Sequence, residues 1–172
     1  MTGQLAPNPR GEALVRELRW VHDMIRRDLQ TVRTLAAGLG DGMPGADAVQ
    51  AIRSLEVSSP LWQLKVNCLQ YCRIVHAHHH HESALMFPRL RQSDPALGPV
   101  VDKLEADHAA VSDLLDDVSG AAMELAGQEE PAARERLISA LADLSVVLLA
   151  HLDYEEEQIS GTLRTWTSWG FW

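Results

Sequence analysis

At 172 residues and 46% apolar content, the chain is long enough for one domain with a full hydrophobic core. Its formal net charge of −9 argues against nonspecific binding to nucleic acid and against an anionic membrane surface. No apolar run approaches the roughly 20 residues of a membrane span, and the N-terminal "MTGQLAPNPRGE" lacks the basic start and apolar core of a secretory signal.

Residues 11–38 carry apolar side chains at Leu14, Leu18, Val21, Ile25, Leu29, Val32 and Leu35, a helical stripe. "GLGDGMPG" breaks it, and a short helix is expected around Asp47–Leu55. Ser59 is the expected N-cap of a second long helix, with Pro60 in its first turn. That helix has the stripe Cys68, Cys72, Val75 and Leu85, and Pro88 is expected to kink or end it. "QSDPALGP" reads as a turn. A third helix from about Val100 to Ala126 has the stripe Val101, Leu104, Val111, Leu115 and Val118. The fourth starts at Pro131, with Leu137, Leu141, Leu144 and Leu148 in line and Gly161 expected to weaken its far end. No alternating run is long enough for a strand.

The predicted fold is therefore all-α: an antiparallel up-down four-helix bundle with a short extra helix in the first connection. One domain covers residues 1–172, with a bundle core of about 11–163 and an aromatic tail at 164–172. The tail holds Trp166, Trp169, Phe171 and Trp172, which are expected to pack over the bundle end or to form a homodimer contact. Cys68 and Cys72 sit awkwardly for a bond to each other, so reduced, buried thiols and a cytoplasmic location are expected.

The informative residues are polar ones that interrupt the stripes. His22 follows Leu18 by four, His78 follows Val75 by three, His108 follows Leu104 by four, and His151 follows Leu148 by three. Glu82 and Glu155 stand four after His78 and His151, on the same side of the helix. With alternating helix directions, all four histidines fall about 15 Å from one end of the bundle. A lone histidine on an apolar face is ordinarily a hydrogen-bonded core residue. Four histidines and two glutamates at one level are costly to bury for structure alone. They predict a metal centre of His22, His78, Glu82, His108, His151 and Glu155. The imidazole–carboxylate mixture suits iron, manganese or zinc better than calcium or magnesium. Two carboxylates can bridge two metals.

Other residues near these positions are weighed beside them. In "HAHHHHESALMFP", His79 lies about 60° around the helix from Glu82, as an alternative ligand or a group behind one. His76, His80 and His81 are expected to face solvent or a neighbouring helix. Tyr71 and Tyr154 could hydrogen-bond near the centre, although tyrosines at the bundle boundary are commoner. Glu156 competes with Glu155.

These residues resemble the hemerythrin family, in particular its bacterial HHE cation-binding branch. The resemblance rests on His22 in "WVHDMIRRDL", His78 and Glu82 in "HHHHESALMFP", His108 in "EADHAAV", and His151 and Glu155 in "AHLDYEEEQ", over about residues 14–160. It implies a four-helix bundle with two iron ions, oxo- or hydroxo-bridged, that meet O2 or related small oxidants. Oxygen-carrying hemerythrins have two histidines one turn apart on the third helix, where His108 stands here with Leu104 and Ser112 at the flanking turns. Their last carboxylate is an aspartate in a His-x4-Asp pattern, a spacing that Glu156 and not Glu155 matches. A missing histidine would open a coordination position and favour peroxide or oxidase chemistry over simple O2 carriage. The expected function is catalase-like, peroxidase-like or oxidase redox chemistry on O2 or H2O2. The alternatives are binding or sensing of O2, NO or redox state, and iron buffering, for which no cage-forming feature is present.

Overall fold

Prolines open three long helices, where a missing N–H is harmless and a fixed φ suits the first turn. In chain order the helices are α1 (Pro9–Gly40), α2 (Pro60–His81), α3 (Phe87–Ser93), α4 (Gly98–Gly127) and α5 (Pro131–Leu163). The computed structural model describes residues 8–40, 60–127 and 131–169, with side chains omitted at 35, 39–40, 60–67 and 126–127. The expected helix over Asp47–Leu55 and the Ser59 cap lie outside the described residues. No strand occurs among the described residues.

α2 and α3 form one rod joined by a π turn at Glu82–Met86. The four rods close a ring in the order α1, α2–α3, α4, α5. The predicted stripes are the core. Leu14, Leu18, Ile25, Leu29 and Val32 are buried on α1, and Cys68, Cys72 and Val75 on α2. Val101, Leu104, Val111, Leu115 and Val118 are buried on α4, and Leu137, Leu141, Leu144 and Leu148 on α5. Each such leucine contributes roughly 1.5–3 kcal/mol of burial free energy. By length and composition α5 could cross a membrane, but this apolar stripe packs inside the bundle.

The structure bears on three local expectations. The rod continues through Pro88 to Ser93 and does not end there. In an α register the Ala84 carbonyl would need the N–H that Pro88 lacks. The π turn widens the register instead, and the Phe87 N–H bonds the Glu82 carbonyl, five residues back. As a result Phe87 joins Met86 in the core, and Leu85, expected in the stripe, is 38% exposed. Gly161 is an ordinary helical residue, and α5 runs past it to Leu163.

The core has two parts. A larger one runs from Ile25, Val75, Val111 and Leu152 toward the far end of the bundle. A smaller one gathers Leu14, Leu18, Met86, Phe87, Leu104 and Ile159 near the chain termini. Trp166 and Trp169 of the tail cap the smaller core, and Phe171 and Trp172 lie outside the described residues. Trp166 is buried, donates its indole N–H to Ser93 Oγ (3.2 Å), and lies under the Arg89 guanidinium at 4.2 Å. Asn8 donates its side-chain amide to the Arg164 and Trp166 carbonyls at 3.1 and 3.2 Å. This clasp requires glycine at position 11, where a Cβ would lie 2.1 Å from the Arg164 carbonyl oxygen.

Candidate metal centre

Between the two apolar cores lies one polar layer. His22 enters it from α1, His78 and His79 from α2, Glu82 from the π turn, His108 from α4, and His151 and Glu155 from α5. His22 and His108 lie 13 and 10 residues after the starts of their helices, while His78 and His151 lie 15 and 12 residues before the ends of their rods. Their meeting requires neighbouring rods to run in opposite directions. All seven side chains are buried or nearly so.

Two groups of donor atoms form, each with all atoms within 4.8 Å of one another. One is His79, Glu82, His108 and His151; the other is His22, His78, Glu82 and Glu155. Glu82 belongs to both. Its Oε1 lies 3.1 Å from His78 Nε2 and 3.9 Å from His22 Nε2, and its Oε2 lies 3.5 Å from His108 Nε2. Glu155 Oε2 lies 3.4 Å from His22 Nε2 and 3.9 Å from His151 Nε2. The rings pack closely as well. His79 stacks on His108 with centroids 4.0 Å apart, and Phe87 stacks on His108 at 5.0 Å.

These residues fit metal ions. The Nε2 atoms of His22, His78, His79, His108 and His151, and both oxygens of Glu82 and Glu155, are buried without a hydrogen-bond partner. Even His78 Nε2 and Glu82 Oε1, at 3.1 Å, lack hydrogen-bond geometry. Buried polar atoms left this way cost about 1–3 kcal/mol each unless something else satisfies them. Donors around a common ion at roughly 2.0–2.2 Å stand as close together as these do.

Other side chains hold the imidazoles in place. His22 Nδ1 lies 2.9 Å from Glu156 Oε1, which Arg26 also contacts at 2.9 Å. His108 Nδ1 lies 2.8 Å from Ser83 Oγ, whereas His151 Nδ1, 3.7 Å from Asp107, has no hydrogen-bond partner. With Nδ1–H donating outward, Nε2 keeps its lone pair for a metal.

Titration follows burial and charge. Burial, then the neighbouring imidazoles, pushes His78 down to about 2 and His108 down to about 3, and holds His79 far below the ordinary histidine range. Burial, then the Glu155 charge, raises Glu82 above the carboxylate range. Burial alone would also lower His22, but its contacts with Glu155, Glu156 and Glu82 outweigh that and raise it to about 11. Glu156 moves down: burial opposes this, and His22 and Arg26 outweigh it.

The structure brings together His22, His78, Glu82, His108, His151 and Glu155, and puts His79 in the donor layer with them. α2 brings His79, the alternative ligand of the sequence reading, into this layer as a fifth imidazole. A sequence signal for it exists. Cys68, Cys72, Val75, His79, Glu82 and Met86 are spaced 4, 3, 4, 3, 4, and all are buried. Glu156 is not in either donor group and stands behind His22. Tyr71 is not at the centre: it is buried in the larger core, shifted upward by burial and by Cys72 and Asp28. Tyr154 packs against the smaller core with Lys103 over its ring at 4.5 Å. His80 and His81 are exposed, and His76 lies 3.7 Å from Asp116 on the surface. Cys68 and Cys72 are buried free thiols.

A family model for the hemerythrin HHE cation-binding domain matches residues 14–163. The chain belongs to that family, and it is a metal-binding protein of the four-helix class. No curated protein and no solved structure matches it.

Proposed function

We propose that the chain binds two iron ions, which Glu82 would hold in common, and uses them on O2 or H2O2. The observation that carries this reading is the membership of Glu82 in both donor groups, which is how one carboxylate joins two adjacent ions. Two metal ions side by side supply electrons in pairs, as reduction of O2 or of H2O2 requires. Manganese or zinc fits the same donors, since ligand type alone does not choose among these metals.

The chain's own residues divide the work. His79, His108 and His151 with Glu82 form a nitrogen-rich pocket. His22 and His78 with Glu82 and Glu155 form a pocket with two carboxylates. Burial keeps His78, His79 and His108 neutral and ready to ligate. Glu156 takes the His22 Nδ1 proton's hydrogen bond and fixes that ring. A cavity of about 150 Å³ reaches His78 and Glu82, so a small molecule approaches from that side.

The test is metal content of protein purified without a histidine tag, read with the ultraviolet–visible spectrum before and after peroxide. About two irons per chain, near-ultraviolet charge-transfer bands and loss of peroxide support the redox reading. Two irons with a lasting adduct and no peroxide loss move the function to binding or sensing of O2 or NO. No metal after reconstitution overturns the reading.

A further inference from the structure

We infer that Trp169 sets the size of the molecules that reach the metal centre, admitting water-sized oxidants and excluding hydroperoxides with bulky organic groups. The inference rests on the proposed reaction with peroxide. The cavity beside the centre ends on His78 and Glu82. Its walls are Leu18 and Val21 from α1 and Met86 from the π turn, and its outer rim is Glu17, His81 and Trp169. Leu18 and Met86 belong to the packed smaller core, so these walls have little room to yield. At about 150 Å³ the space holds a few water molecules, each taking about 30 Å³.

Trp169 is the one rim residue that comes from neither wall. It is tethered on both sides of the cleft. Its indole Nε1–H donates to Glu17 Oε2 on α1 at 2.9 Å. One residue earlier, the Ser168 carbonyl accepts from Arg89 Nη1 on α3 at 2.7 Å. Its ring also meets the buried Trp166 edge to face, with centroids 6.5 Å apart. Trp169 also lines a second hollow, with Leu85, Pro88 and Gln92. The indole therefore borders both hollows. The indole is anchored to a packed tail and is not a loose side chain, which is what discrimination by size needs.

The experiment compares hydrogen peroxide with cumene hydroperoxide on the iron-loaded protein by stopped-flow, with metal content measured for every variant. Trp169→Ala should lower the rate ratio of small to bulky peroxide by about tenfold or more, the scale of discrimination by a pocket wall. Trp169→Phe keeps a ring across the gap and should retain most of the discrimination. A ratio within about twofold of wild type in Trp169→Ala overturns the inference, and so does Trp169→Phe behaving like Trp169→Ala. If wild type binds iron but reacts with neither peroxide, the redox reading fails, and the inference is judged by binding of azide against benzohydroxamate to the ferric protein. The same drop in ratio then supports it, and an unchanged ratio overturns it. Failure to load iron removes the centre and the inference together.

Discussion

The two halves of the metal centre share Glu82 but differ in chemistry and in surroundings. The half built from His79, His108 and His151 is rich in imidazole, stacked ring on ring, and pressed against Phe87. The half built from His22, His78 and Glu155 has two carboxylates, and a cavity reaches its His78. The first is packed against aromatic rings, and a hollow lined by His78 and Glu82 opens beside the second. A single turn of π-helix underlies the difference, because it seats Glu82 between the halves and turns Phe87 inward beneath one of them.

The largest expected effect comes from removing what the halves share. Glu82→Ala should reduce metal content from about two ions per chain to well below one, while helix content by circular dichroism stays intact, since losing a buried carboxylate need not unfold the bundle. Full metal content in this variant would refute the shared ligand. Next come single-half losses. His79→Ala and His22→Ala should each leave about one ion per chain, but a chelator should extract the ion left in His79→Ala faster than the one left in His22→Ala. Equal extraction rates would erase the distinction between a sealed and an open half. His108→Ala and Glu155→Ala should likewise lower metal content, on opposite sides.

Smaller effects sharpen the comparison. Glu156→Ala removes the group behind His22 and should weaken metal affinity on the open side about 10–100-fold, with two ions still bound at saturation. Competition titration with a chelator would measure it. The smallest is a pH effect on the metal-free protein. His78 and His108 have folded values near 2 and 3, below the unfolded 6.5. The unfolded chain therefore binds more protons between these values, so their stability is full above pH 6.5 and falls as pH drops through that range. His22, raised to about 11, works the other way: its contribution is full below 6.5 and is lost as pH climbs toward 11. The thermal midpoint of the metal-free protein should peak near pH 6.5, and metal should flatten the curve. A midpoint that rises steadily from pH 7 to 10 would contradict the His22 assignment.

Periodicity made most of the bundle legible in advance. Helical stripes depend only on a constant rotation per residue, so four rods and their buried leucines follow from spacing. The same rotation puts His22, His108 and His151 on inner faces, and it pairs His151 with Glu155. The 4-3-4-3-4 stripe through Cys68, Val75, His79 and Met86 also contained the fifth imidazole, but His78 and His79 straddle the α2 seam. Spacing along one helix cannot say that α1 and α4 stand on either side of that seam, so that both rings find partners.

Other features needed the packed chain. The π turn breaks the constant rotation on which the reading of Leu85 depended, and it answers a missing N–H at Pro88. The choice between Glu155 and Glu156 turned on which points between the helices and which reaches Arg26 and the back of His22. Trp166 and Trp169 call for cover by their size and apolarity, but the sequence does not say where they find it. By itself the sequence determined the helices, their inner faces and the presence of a polar layer, because these are local periodic properties. Only the tertiary structure decided that Glu82 falls in both donor groups, that Phe87 packs on His108, and that a hollow lined by Trp169 reaches His78. Those facts depend on distances between helices that no single helix contains.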